Sequence, residues 1–237
     1  MSVLNTDEAI TSIYNLLLMK FIPSALILIA LLHVGCDNDN CTTGSGVTGT
    51  LEEDINFFQG LSNSTLVDIV LVADTLLPWQ AQLKGDDNLL TMIDLDIEDN
   101  VLEVRHDESC IMTRQDMQLT LLDLRLSPIN NSGSGDISGV VGLSDPVISN
   151  SGSGNIHLSN GVYSGVIDLS NSGSGDVNTE GISSEAVTVV NSGSGDVYVT
   201  AVENLTVTIS GSGDVYYKGM PTITPVVSGS GELIDNN

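Results

Sequence analysis

The chain has 237 residues, with 31 acidic against 6 basic side chains and a formal net charge of -25. That balance argues against nucleic acid and anionic lipid head groups as partners, because a surface this acidic repels both. It suits cations, cationic partners or a salty milieu. Three cysteines without a CxxC spacing or a Cys/His cluster argue against structural zinc.

Residues 1–18 contain Asp7 and Glu8 and suit no signal peptide, so both Met1 and Met19 stand as starts. From Met19-Lys20 the pattern changes to a short basic start, the apolar stretch Phe21–Leu32 and then His33-Val34-Gly35-Cys36. This predicts a signal peptide over 19–35. The end of it resembles a bacterial lipobox, with Val34, Gly35 and Cys36 matching and His33 in place of the usual Leu. The resemblance implies a lipid on Cys36 and attachment to a membrane. An uncleaved anchor is the other reading, since Leu16–Gly35 carries only Lys20 as a charge.

Residues 36–50 read as a polar, turn-rich tether. Asp37 beside Cys36 fits an inner-membrane retention signal or a surface-export signal, depending on the host, so the leaflet stays open. Cys41 in the tether and Cys110 after an acidic turn can pair in an oxidising envelope or remain two thiols.

The domain is expected over 51–237. Between 51 and 126, Leu66–Leu71, Ile93–Ile97, Val101–Val104 and Leu119–Leu124 alternate or run apolar, with turn clusters at Gly85–Asn88 and Glu98–Asn100. These irregular strands are expected to form the first coils and to cap the end of the stack.

From Ser132 onward the chain is periodic. Ser-Gly-Ser-Gly occurs six times, starting at Ser132, Ser151, Ser172, Ser192, Ser210 and Ser228, at spacings of 18 to 21 residues. Each copy is followed by Asp, Asn or Glu and then by Ile, Val or Leu. Period-2 stretches such as Leu205–Ile209 and Ala186–Val190 precede the copies. A unit of about 20 residues suits one coil of a parallel β-solenoid, made of strand, corner, strand and variable turn. The aliphatic position should point inward. The glycines are read as serving a sharp corner with positive φ and a close backbone approach. Coils rise by about 4.8 Å each.

Six Ser-Gly-Ser-Gly units, the run Gly211–Pro221, and the opening segments Phe57–Gly60, Val67–Leu71 and Gly85–Leu90 together resemble the GIN-domain family of auto-transporter adhesin heads. The resemblance covers about 51–237 and departs at Ala73–Gln82, which holds Pro78 and Trp79. It implies an all-β, right-handed parallel β-helix in a bacterial envelope or secreted protein.

Enzymatic chemistry is not expected. The repeats carry a single Lys, Lys218, and a single His, His157, whereas a lyase needs a base beside its sugar and a hydrolase a converging carboxylate pair. A motif repeated six times is no nucleophile elbow. The residues after the corners, Asp136, Asn155, Asp176, Asp196, Asp214 and Glu232, should align about 5 Å apart along one edge. Such a column either holds a cation or accepts backbone N–H groups of its own corners as Asx-turns. Tyr198 and Tyr216 should face outward on adjacent coils, as a small glycan platform or as incidental surface. The expectation is a non-enzymatic envelope lipoprotein with no cofactor, held through its N-terminal lipid at the outer membrane, on its periplasmic side or at the cell surface. It would display the solenoid for adhesion-like or structural contact with a protein or glycan; the alternative is a small-ligand, glycan or cation-binding lipoprotein.

Overall fold

The alternating and β-branched segments do form strands. The computed structural model describes residues 41–72, 81–106, 110–122, 126–140, 145–159 and 164–237. The predicted signal segment, Cys36, Trp79 and Tyr163 lie outside them. Among the described residues there is no α-helix, only a 3-10 turn over Leu90–Met92, and no helix long and apolar enough to cross a membrane.

The first part contributes β1 (Thr42–Thr43), β2 (Thr48–Glu53), β3 (Gly60–Asn63), β4 (Asp68–Leu71), β5 (Ala81–Asp86), β6 (Ile93–Glu98), β7 (Val101–His106), β8 (Ile111–Met112) and β9 (Gln118–Leu121). The repeats contribute β10 (Ile129–Asn131), β11 (Ile137–Val140), β12 (Val147–Asn150), β13 (Ile156–Ser159) and β14 (Ser164–Asn171). They end with β15 (Val177–Asn191), β16 (Val197–Ile209), β17 (Val215–Lys218), β18 (Thr222–Val227) and β19 (Leu233–Asp235).

These strands stack as a β-solenoid with coils of about 20 residues. One face runs β7, β3, β10, β12, β14, the second halves of β15 and β16, and β18, all parallel. The other runs β9, β4, β11, β13, the first halves of β15 and β16, β17 and β19. The aliphatic residue after each corner points inward and falls in one column. Ile69, Ile137, Ile156, Val177, Val197 and Val215 are in register and fully buried. Leu61, Ile129, Ile148, Leu169, Val189 and Val207 form the matching column of the first face. Both columns follow from the period of 2 along a strand and the exact repeat between strands.

The early strands do cap the stack, but out of chain order. The coil of β7 and β9 lies outside the earlier coil of β3 and β4, and β10 returns on the far side of β3. Antiparallel strands then cover the exposed edges: β6 on β7, and β5 followed by β2 on β9. The hairpin between β6 and β7 turns through Asp99 and Asn100, at φ 50° and 65°. Two adjacent positive-φ residues match the twist of a tight hairpin. An antiparallel edge ends the parallel stacking and protects it from pairing with another chain.

The domain also begins earlier than expected. Much of the stretch read as tether is built into the cap: β1 pairs with β8, and β2 with β5. The compact unit starts at Cys41. The turn cluster at Gly85–Asn88 is shorter than its composition indicates, because Gly85 and Asp86 belong to β5.

The corner glycines correct another expectation. Among the described glycines positive φ is confined to Gly46, Gly139 and Gly219, none of them in a Ser-Gly-Ser-Gly corner. What the corners need is close approach. A Cβ on Gly193 would stand 2.1 Å from the Gly173 carbonyl oxygen, and one on Gly195 2.0 Å from that of Gly175. Identical corners therefore stack backbone on backbone, with no room for a side chain between them.

Candidate functional site

Stacked corners create an open groove of about 620 Å³ along one edge, lined by the serines and first glycines of successive corners, Ser132–Ser134 through Gly211–Ser212. The backbone there is consumed by stacking. Ser192 N–H donates to the Asn171 carbonyl at 2.8 Å and Ser194 N–H to the Gly173 carbonyl at 3.0 Å, and each corner repeats the pattern. The serine side chains at these positions are exposed. The groove therefore offers two rows of hydroxyls, each able to donate and accept, at the coil spacing of about 4.8 Å.

Behind the groove lies a ladder that sequence reasoning missed. Asn63, Asn131, Asn150, Asn171 and Asn191 are at most 1% exposed. Asn171 Nδ2 donates to the Gly175 carbonyl of its own corner and to the Gly195 carbonyl of the next, both at 3.1 Å. Asn150 and Asn191 make the same pair of bonds. The signal was available: Asn precedes Ser-Gly-Ser-Gly in the first four copies, before Ile209 and Val227 replace it. A polar residue at an inward position of an alternating strand needs a buried partner, and the corner carbonyls supply it.

The acidic column is in register, but its backbone bonding differs from the own-corner expectation. Each member accepts the N–H of its counterpart one coil further on, and not an N–H of its own corner. Asp176 Oδ1 accepts from Asp196 N–H at 2.7 Å, Asp196 Oδ1 from Asp214 N–H at 2.8 Å, and Asp214 Oδ1 from Glu232 N–H at 2.8 Å. Upstream, Asp68, Asp136 and Asn155 continue the relay. The cause is parallel stacking, which brings the next coil's N–H beside the carboxylate. Asn155 fills a place in this column, so the bond needs an acceptor oxygen and not a charge. Among the described residues no three His, Cys, Asp or Glu side chains converge as a metal-holding group.

Tyr198 and Tyr216 do face outward on adjacent coils, and their rings stack at 4.7 Å with an interplanar angle of 7°. Their hydroxyls reach Asp196 Oδ2 at 3.5 Å and Asp214 Oδ2 at 3.4 Å. Stacked in this way, each ring covers one face of the other. Loss of hydration first, then the Asp196 and Asp176 carboxylates, hold the Tyr198 phenol above its ordinary value. Loss of hydration and the Asp196 and Asp214 carboxylates do the same for Tyr216. Both phenols stay neutral hydrogen-bond donors at neutral pH.

The cap carries its own fixed chemistry. Cys41 and Cys110 form a disulfide across 69 residues of sequence. Asp86, fully buried, accepts N–H bonds from Gly46 and Arg114 at 2.7 Å and from Gln115 at 2.9 Å. Burial alone pushes its carboxyl up, but the three backbone donors and the nearby Arg114 charge outweigh this and hold it below the usual value. Arg105 pairs with Asp96 and Glu98 at 3.0 and 3.1 Å in the cap, whereas Lys218 pairs with Glu180 between two coils of the repeats.

The geometry defines a β-solenoid with hydroxyl and carboxylate ladders along its corner edge. Residues 112–221 match the model of the family described as putative auto-transporter adhesin, head GIN domain. No curated protein matches the chain. Among solved structures it is similar to an adhesin described as putative from Bacteroides fragilis, at 22% identity and a TM-score of 0.65, covering 81% of this chain and 99% of that one. A second such adhesin, from Parabacteroides distasonis, is 16% identical with a TM-score of 0.50, covering 83% of this chain and 100% of that one. At these identities the likeness establishes the fold.

Proposed function

We propose that this chain is a lipid-anchored envelope protein that displays its solenoid for adhesion-like, non-enzymatic binding. The observation that carries the reading is the corner groove. Its backbone is already satisfied within the stack, so its hydroxyls are the groups left to meet a partner. Two hydroxyl rows at a fixed repeat suit an extended hydroxyl-bearing partner, such as a glycan strand, better than a compact apolar ligand. The family match over residues 112–221 and the adhesin-described neighbour support a surface or envelope role. The lipobox resemblance at Cys36 supports the anchor.

Two measurements test this. Labelled palmitate should enter the parent and not Cys36→Ser, and globomycin should leave a heavier precursor; an unlabelled product of unchanged mass would remove the anchor. Cells displaying the chain should bind immobilised glycans or host cells. Ser153→Glu with Ser174→Glu, which fills and charges the groove, should abolish that binding at an unchanged melting temperature. Binding that survives these substitutions would remove the groove from the mechanism.

A further inference from the structure

The two ends of the stack differ. Antiparallel strands cover β7 and β9 at one end. At the other, β18 and β19 pair only inward among the described residues, with β16 and β17. The inward columns come to the surface there. Ile223, Pro225 and Val227 are in register with Leu205, Val207 and Ile209, which are fully buried. In this last coil Ile223 is half-buried, Pro225 exposed and Val227 49% exposed. Backbone groups are open too. Ser228 and Asn236 turn their N–H groups inward, to the Ile209 and Tyr217 carbonyls. Directions alternate along a strand, so the backbone groups of Ile223, Pro225, Val227 and Leu233 point away from the stack. The corner agrees. The Ile209 and Gly211 carbonyls each accept two N–H groups from the next coil, whereas Val227 and Gly229, one coil further, accept none among the described residues.

We propose that this open end binds an extended strand of a different polypeptide, apolar at alternate positions and basic at its ends, laid along β18. Backbone chemistry selects the class of partner. A row of outward N–H and C=O groups is matched at every step only by another strand, and not by a glycan or a lipid. The uncovered Ile223, Pro225 and Val227 continue a period of two, so alternate side chains of the added strand extend the inward column. Charge selects the flanks. Glu232 and Asp235 lie in the last coil of a chain with net charge -25, which attracts lysine or arginine. The same charge disfavours a second copy, whose own open end brings the same two carboxylates and whose other end is closed. Pro225 has no N–H to offer on the outer row, so the added strand forgoes one bond and the pairing is weak and reversible.

Fluorescence anisotropy measures this with the full-length chain in a mild non-ionic detergent. The probe is a labelled synthetic peptide of alternating valine and threonine with lysines at both ends. Binding should saturate below about 1 mM. The same peptide N-methylated at the residues that face β18 keeps its side chains but loses its donors, and should bind at least tenfold more weakly. Val227→Asp should also weaken binding at least tenfold, while Val140→Asp, at a similarly exposed site in an early coil, should leave it unchanged. Pro225→Val restores the missing donor and should tighten binding several-fold. Melting temperatures within a few degrees of the parent show that the variants fold. Absence of saturable binding overturns the proposal. Equal binding of the N-methylated peptide, or no gain from Pro225→Val, removes backbone pairing and overturns it as well. So does binding that Val227→Asp leaves intact. Sedimentation of the chain alone at tens of micromolar, with the detergent mass subtracted, should give a monomer. A dimer that Val227→Asp dissolves overturns the proposal and assigns the end to a second copy. Loss of glycan binding by the groove variants would leave these results untouched.

Discussion

The cap and the coils solve the same problem by opposite means. From β10 onward, stability comes from translation: each coil repeats the last, so one favourable bond is made again at every rung. The Asn171 amide and the Asp196 carboxylate are single members of such series. In the cap nothing repeats. Antiparallel strands, one disulfide and one buried aspartate hold segments distant in sequence. A repeat tolerates losing one member where its neighbours remain, whereas the cap has single fastenings without substitutes. A repeat is still vulnerable where a change violates the shared interior.

The largest expected effect is therefore in the coils. Val197 is fully buried between Val177 and Val215. Val197→Asp puts a carboxylate there without a partner and should cost about 5 kcal/mol, lowering Tm by about 10 degrees or more. A variant that melts within a degree or two of the parent would refute the alignment of the coils.

Next is the cap's disulfide. Closing a loop of 69 residues restricts the unfolded chain by about 4 kcal/mol in the chain-entropy model. Cys41→Ser with Cys110→Ser should lower Tm by roughly 10 degrees. Hydrogen exchange should rise at Thr42–Thr43 and Ile111–Met112 while the corner amides from Ser151 onward keep their protection. Uniform loss along the chain would mean that cap and coils unfold as one unit, and would end the comparison.

One ladder member should matter less than either. Asn171→Ala leaves the Gly175 and Gly195 carbonyls without their side-chain donor and opens a small void, a loss of about 2 kcal/mol. Asn171→Leu should cost less, since Ile209 occupies the same place one coil beyond Asn191. Equal losses in the two variants would show that the amide bonds, and not the filling of space, dominate.

These cases show what could be read from sequence. The coils were legible because Ser-Gly-Ser-Gly and the aliphatic position after it fix period, corner and inward face together. The cap was not. Its strands could be recognised one by one, but no local pattern says that β7 and β9 lie outside β3 and β4, because that order rests on pairings across tens of residues. The Asn ladder was visible as a recurrence and went unread. Polar residues beside Gly-Ser look like turn residues until a structure shows them buried. The acidic column was placed correctly, but its bonding crosses between coils, which a reading within one corner misses.

A smaller effect tests the cap's electrostatics. Asp86 has a folded-state value below its ordinary one, so its contribution is present above the unfolded value near 4 and is lost as pH falls through the folded value. Asp86→Asn keeps one acceptor oxygen and should lower Tm by about 3 degrees between pH 6 and 8. The difference from the parent should shrink below about pH 4, where the parent's carboxyl also becomes protonated. A gap that stays constant down to pH 3 would mean that packing, and not charge, makes Asp86 useful.

The smallest expected effect separates the acidic column from a cation site. Each ladder carboxylate already uses Oδ1 for the next coil's N–H, and in Asp196 and Asp214 a tyrosine hydroxyl lies against Oδ2. A cation would have to displace these bonds or accept the few oxygen positions left over. Asn155 already serves in the column without charge, so Asp196→Asn should keep the ladder and relieve repulsion from Asp176 and Asp214. Its Tm should match or slightly exceed the parent's. Specific calcium sites in the native state would add about 2.7 kcal/mol each at a hundredfold excess over Kd, or roughly 5 to 10 degrees. Against that, millimolar calcium should differ from sodium of equal ionic strength by less than about two degrees, since only general screening of a very acidic chain is at work. A calcium-specific rise that Asp176→Asn and Asp196→Asn together abolish would mean that the column trades its coil-to-coil bonds for metal. The repeats would then carry a fastening as particular as any in the cap.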